Sequence, residues 1–121
     1  MKKIKIVNES LKNGKKEDVG TLYFSNGEWV FTYSDKWSTQ IGFELSIEKR
    51  IHRSLDLFGT FSERIPSRDN GAYSDYCKSW KISESESDIM TLLVTIGHRG
   101  PSTLVFYPEG FTPGMWSETD D

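Results

Sequence analysis

Apolar and charged residues alternate through Lys3-Ile4-Lys5-Ile6-Val7, and that period of two predicts a half-buried strand. Two runs rich in β-branched and aromatic residues follow, Val19 to Ser25 and Glu28 to Tyr33, with Asn26-Gly27 between them. This dipeptide takes positive φ at low cost, so the runs predict a hairpin closed by a type I′ turn. Gln40 to Ser46 suggests a further strand. Leu55, Phe58 and Phe61 predict a short helix with Ser54 as a cap, interrupted by Gly59. Pro66 ends it, because the residue before a proline is pushed out of the α region. Tyr73, Tyr76, Cys77 and Trp80 then fall at i, i+3, i+4 and i+7, one helical face that Asp69 or Asn70 can cap. Ile89, Leu92, Leu93 and Ile96 repeat the spacing. Ser83 with Glu86, or Ser85 with Asp88, marks the start of that helix. Gly97 follows it directly, where a helix favours a left-handed residue. Gly100-Pro101 turns the chain into a buried strand, Thr103 to Tyr107. The order strands, helices, strand predicts an α+β fold: a small antiparallel sheet with two to three short helices packed on one side.

Size and charge narrow the classes. A chain of 121 residues is one domain with room for a single core. A net charge of −3 and a pI near 5.4 argue against a dedicated nucleic-acid binder, which carries a basic footprint. The lysines near the start, Lys2, Lys3, Lys5, Lys12, Lys15 and Lys16, read as a solvated edge and loop. Cys77 is the sole cysteine, so no internal disulfide can form, and its helical spacing among apolar residues marks it as a small buried hydrophobe. No run of 18 apolar residues exists to span a membrane. The first lysines lead into Ile4 to Asn8 rather than an apolar signal core, which gives a cytoplasmic expectation.

No catalytic constellation is legible. His52-Arg53-Ser54-Leu55 and Asp56-Leu57-Phe58-Gly59 imitate the catalytic loop and magnesium motif of protein kinases. Ser54 stands where the catalytic Asp belongs, however, and Leu57 is inserted in the second motif, so chance explains both. His52 and His98 lie far apart with no metal-type spacing to carboxylates. Gly97-His98-Arg99-Gly100 is too short for a phosphate loop and follows a helix instead of opening one. The chain is therefore expected to be no enzyme and to need no metal or cofactor.

Three segments could serve binding. Phe61 to Arg68 sets apolar and basic residues around a proline, either a surface loop hung on a buried Phe61 or a binding turn. Lys49-Arg50-Ile51-His52-Arg53 is a basic loop that could steer an acidic partner. Phe111, Met115 and Trp116 lie in an acidic tail, residues 109–121, beyond a domain of residues 1–108; the tail is expected to be mobile. They could dock in a groove or pack back on the domain. Trp29, Phe31 and Tyr33 alternate on one strand face and could stack bases, though core packing explains them more simply.

The stretch from Leu55 to Pro108 resembles the end of the N-terminal subdomain of HipA-type serine/threonine kinases. The landmarks are Phe58 and Phe61, Pro66, the helix Tyr73 to Trp80, Leu92-Leu93, Ile96-Gly97, the strand Leu104 to Tyr107, and Pro108-Glu109. Ser62 to Arg68 and His98 to Pro101 depart from the family's pattern. The resemblance implies a twisted, barrel-like antiparallel sheet with helices against it. Because the chain stops at Asp121, it is similar to HipS-type proteins, separate small partners of shortened HipA-like kinases. This implies an antitoxin in a three-component system with a HipA-like kinase toxin and a helix-turn-helix DNA-binding protein. In such kinases the subdomain packs on the kinase N-lobe beside the ATP site, so the resemblance implies inhibition by occluding or distorting that site. A non-inhibitory scaffold joining the kinase to its DNA-binding partner is the alternative. The residues expected to contact the kinase are Phe61, Arg64, Ile65, Pro66, Ser67 and Arg68.

Overall fold

In the computed structural model, which describes residues 2–111, Asn26 and Gly27 both take positive φ, 53° and 79°. They close the hairpin of β2 (Lys16–Ser25) and β3 (Glu28–Tyr33) as a type I′ turn requires. Strand β1 (Lys3–Glu9) pairs with β2, β4 (Ile51–Ser54) with β3, and β5 (Leu104–Glu109) with β1, all antiparallel. The sheet order is β4-β3-β2-β1-β5. A bulge opposite Ile6 and Val7 admits Val19 as an extra residue, and Val19 is fully buried.

One face of the sheet carries the core. Across the strands, Phe106, Ile6, Gly20 and Tyr33 align in one row, and Ile4, Leu22, Phe31 and His52 in the next. Gly20 is needed there: a Cβ would stand 2.4 Å from the Thr32 carbonyl oxygen and 2.8 Å from the Phe31 ring. The ring of Phe31 meets those of Tyr33 and Phe61, and Phe61 meets Phe106. The other face is mixed: Val30 and Val105 are buried on it, among Lys3 over the Tyr23 ring, Lys16 over Tyr107, and Lys5 paired to Asp18 at 3.1 Å.

Three helices cover the core: α1 (Gly59–Ser62), α2 (Tyr73–Trp80) and α3 (Ile89–Val94). Helix α3 lies between two apolar clusters. Met90, Leu93 and Val94 join the main core, and Leu92 joins a smaller one with Tyr73, Cys77 and Ile82. The small cluster buries Cys77, and burial raises the pKa of its thiol.

Several expectations need correction. Gln40 to Ser46 is loop, not strand; it drops Leu45 into the core, where the Leu45 carbonyl accepts the Tyr33 hydroxyl at 2.6 Å. The basic segment at Lys49 to Arg53 is not a loop but leads into β4. Ser54 belongs to β4, and α1 starts after Phe58 with no side-chain cap. Ala72 precedes α2, while the Asn70 side chain accepts the Ala72 N–H one step earlier. Helix α3 ends at Val94, and Gly97 is not left-handed; its small size serves close packing against the Leu93 backbone and against Arg64, described next. The tail expectation lies mostly outside the described residues, as do Met115 and Trp116. Within them, β5 runs on to Glu109 and Phe111 packs against the main core.

Candidate partner-binding surface

The turn from Phe61 to Arg68 is built from the inside out. Phe61 is fully buried among Phe31, Phe58 and Phe106. After α1 the backbone tightens, with the Arg64 N–H donating to Phe61 and the Ile65 N–H to Ser62. Pro66, which offers no N–H, then sends the chain outward.

Arg64 does not reach into solvent. Its Nη1 donates to the carbonyls of Gly97 at 3.0 Å and His98 at 3.4 Å. Nη2 donates to Ser102 Oγ at 3.0 Å and to the Leu104 carbonyl at 2.5 Å. The guanidinium also sits 4.3 Å from the centre of the Phe106 ring. A Cβ on Gly100 would stand 2.7 Å from Arg64 Nε, and one on Gly97 would stand 3.1 Å from Arg64 Cβ. The two glycines therefore form a cradle for this side chain. Burial lowers the Arg64 pKa, yet a guanidinium keeps its proton at any physiological pH.

Arg68 is also committed to its own chain. Its two terminal nitrogens donate to the carbonyls of Glu84 and Glu86, and its guanidinium lies 5.5 Å from the Tyr73 ring centre. Both arginines, named among the expected kinase contacts, serve as internal braces between the turn and the chain around α3. Ile65 is only partly buried and packs against both apolar clusters, so replacing it disturbs folding as well as any contact. Pro66, half-buried, and Ser67, exposed, form the outward face. Ser67 stiffens that face by accepting the Asp69 N–H on its side chain and the Asn70 N–H on its carbonyl. A cleft of about 300 Å³ adjoins the turn, lined by Ile41, Thr60, Glu63, Arg64, Pro101, Ser102 and Leu104.

Two further features were not anticipated. Phe43 and Leu55, expected within a strand and a helix, are 98% and 78% exposed. Apolar character alone gave no signal of this, since each falls in a segment that also sends a residue into the core, Leu45 in one and Phe58 in the other. His52, by contrast, is a satisfied histidine, its Nε2 2.8 Å from the Ser46 carbonyl. Trp29, Phe31 and Tyr33 belong to the core. Among the described residues no group of histidine, cysteine and carboxylates is arranged to hold a metal ion, and no helix is long and apolar enough to cross a membrane.

A single five-stranded antiparallel sheet with short helices on one face defines a small α+β domain. The comparisons place it more closely. Residues 14–107 match the family model described as HipA N-terminal domain, and the chain belongs to that family. A solved structure, "N-terminal domain of HipA toxin", superposes with a TM-score of 0.61 at 17% identity, covering 93% of this chain and 96% of that one. No curated protein matches. The likeness is to the N-terminal domain of HipA and not to a kinase catalytic domain.

Proposed function

We propose that this chain is a HipS-like antitoxin: it binds a HipA-like serine/threonine kinase in the bacterial cytoplasm and inhibits it by occluding or distorting the nucleotide site. The observation that carries this reading is the fold itself, a HipA N-terminal domain over nearly the whole chain. A domain that belongs beside a kinase can bind it as a separate molecule, and its effect then depends on concentration, which suits an antitoxin. The braced turn supports the contact surface. Arg64 and Arg68 fix its shape from within, so Ile65, Pro66 and Ser67 can meet a partner with little further loss of chain entropy. A helix-turn-helix protein would join through the kinase, and the acidic pI supports the absence of direct DNA contact by this chain.

Gel filtration of the purified chain with a HipA-like kinase lacking a covalent N-terminal domain tests the reading. Co-elution at micromolar concentrations is expected. Separate elution contradicts it.

A further inference from the structure

The two edges of the sheet are finished differently. Glu9 at the end of β1 donates its N–H to Thr103, just ahead of β5, so with strict alternation Leu104, Phe106 and Pro108 turn their backbone groups away from β1. Each is occupied or lacks a donor. The Leu104 N–H donates to Ser102 Oγ and its carbonyl accepts from Arg64. The Phe106 N–H donates to the His98 carbonyl, and its own carbonyl lies 2.6 Å from His98 Nδ1. Pro108 has no N–H at all. This edge is closed to another strand.

Strand β4 forms the other edge. The Tyr33 N–H donates to Arg50, so Arg50, His52 and Ser54 face β3, while Ile51 and Arg53 point their N–H and C=O groups outward. Among the described residues none of these four backbone groups has a hydrogen-bond partner. The side chains around them are mixed in character. Ile51 is 46% exposed and Leu55 lies open beyond the strand end, whereas Lys49 and Arg53 are exposed cations.

We propose that the β4 edge is a docking strand, extended by a segment of the partner protein that adds itself antiparallel or parallel to Ile51–Ser54. Only an extended chain offers donors and acceptors at the spacing of Ile51 and Arg53. The flanking Lys49 and Arg53 select a segment with acidic side chains, and Ile51 and Leu55 take apolar ones. The same charges speak against a second copy of this chain, because two β4 edges side by side would gather the exposed Lys49 and Arg53 of both copies along one seam. The inference deepens the functional reading and rests on it: the occupant belongs to the kinase.

The test uses the complex with the HipA-like kinase lacking a covalent N-terminal domain. Arg53→Pro removes an outward N–H while leaving every bond to β3, and proline is tolerated on a strand edge whose N–H faces solvent. Arg53→Ala separates the side chain from the backbone. Calorimetric titration should show a loss of roughly thirtyfold in affinity for Arg53→Pro and a smaller loss for Arg53→Ala. Amide exchange by NMR on the parent needs no substitution. The Ile51 and Arg53 amides should exchange freely in the isolated chain and at least about tenfold more slowly in the complex. Arg53→Pro binding like the parent, or a complex in which both amides still exchange freely, overturns the docking strand while the functional reading stands. Protection of the same amides by self-association of the isolated chain also overturns it. No binding by the parent overturns the functional reading and this occupant with it.

Discussion

Removing the Arg64 side chain should unfold the brace between the turn and the α3–β5 connection. Three of its hydrogen bonds are 3.0 Å or shorter, to Gly97, Ser102 and Leu104. At about 1 kcal/mol net for each, with about 1 kcal/mol more from the contact with Phe106, the side chain contributes about 4 kcal/mol. Relief from desolvating a half-buried cation and entry of water to the freed carbonyls return part of this. The net cost of Arg64→Ala is therefore about 2–3 kcal/mol, which lowers the thermal midpoint by about 10 °C in a domain of this size. Arg64→Lys should cost nearly as much, since an ammonium cannot span the Gly97 and Leu104 carbonyls as the planar fork does. Urea unfolding followed by circular dichroism measures the change, and an unaltered slope would show that compactness is unaffected. A second arm tests the cradle. Gly100→Ala should destabilise the parent and do less in the Arg64→Ala background, because the clash is with Arg64 itself. An Arg64→Ala midpoint equivalent to within about 0.5 kcal/mol of the parent, the range of an ordinary surface change, would refute the account of the brace.

Tyr73→Phe should leave stability unchanged or raise it by up to about 1 kcal/mol, because among the described residues the buried Tyr73 hydroxyl has no partner beyond the weakly bonding Cys77 thiol, and deleting it removes a desolvated polar group; a clear loss in urea unfolding would show that the hydroxyl is satisfied. Burial holds the His98 pKa below its ordinary 6.5, although the bond to the Phe106 carbonyl pulls the other way. The unfolded chain binds the proton more readily, so this contribution is present above about pH 6.5 and is lost as pH falls through the folded value. Urea midpoints measured between about pH 5 and pH 8 should therefore decline less on the acid side in His98→Asn than in the parent.

The parts legible in the sequence were those where local chemistry and tertiary packing agree. Asn26-Gly27 fixed the hairpin because the turn needs positive φ at both positions, and few residues supply it. The i, i+3, i+4, i+7 spacing placed α2 on its observed bounds, Tyr73 to Trp80. Strand β4 was hidden because its pattern is inverted: Ile51 faces out and His52 faces in, so hydropathy alternates against burial. Gln40 to Ser46 looked like a strand because its apolar residues are spaced for one, yet Leu45 enters the core, Ile41 packs against it half-buried, and Phe43 is left in solvent. Gly97 was read as a left-handed helix stop; its N–H does close on the Leu92 carbonyl at the end of α3, but without positive φ, and its small size admits both the Leu93 backbone and Arg64. The turn at Phe61 to Arg68 was found, and its buried anchor was anticipated. What the sequence could not reveal was the destination of the two guanidinium groups, since their acceptors are backbone carbonyls that carry no sequence signature.

The central claim is that this domain binds and silences a HipA-like kinase. The most direct measurement is the rate of phosphate transfer from labelled ATP by such a kinase, lacking a covalent N-terminal domain, titrated with this chain. The account predicts a saturating fall in rate that reaches its floor near one equivalent, with no labelling of substrate by this chain alone. A rate that stays constant or rises across a titration in which the complex demonstrably forms would contradict it.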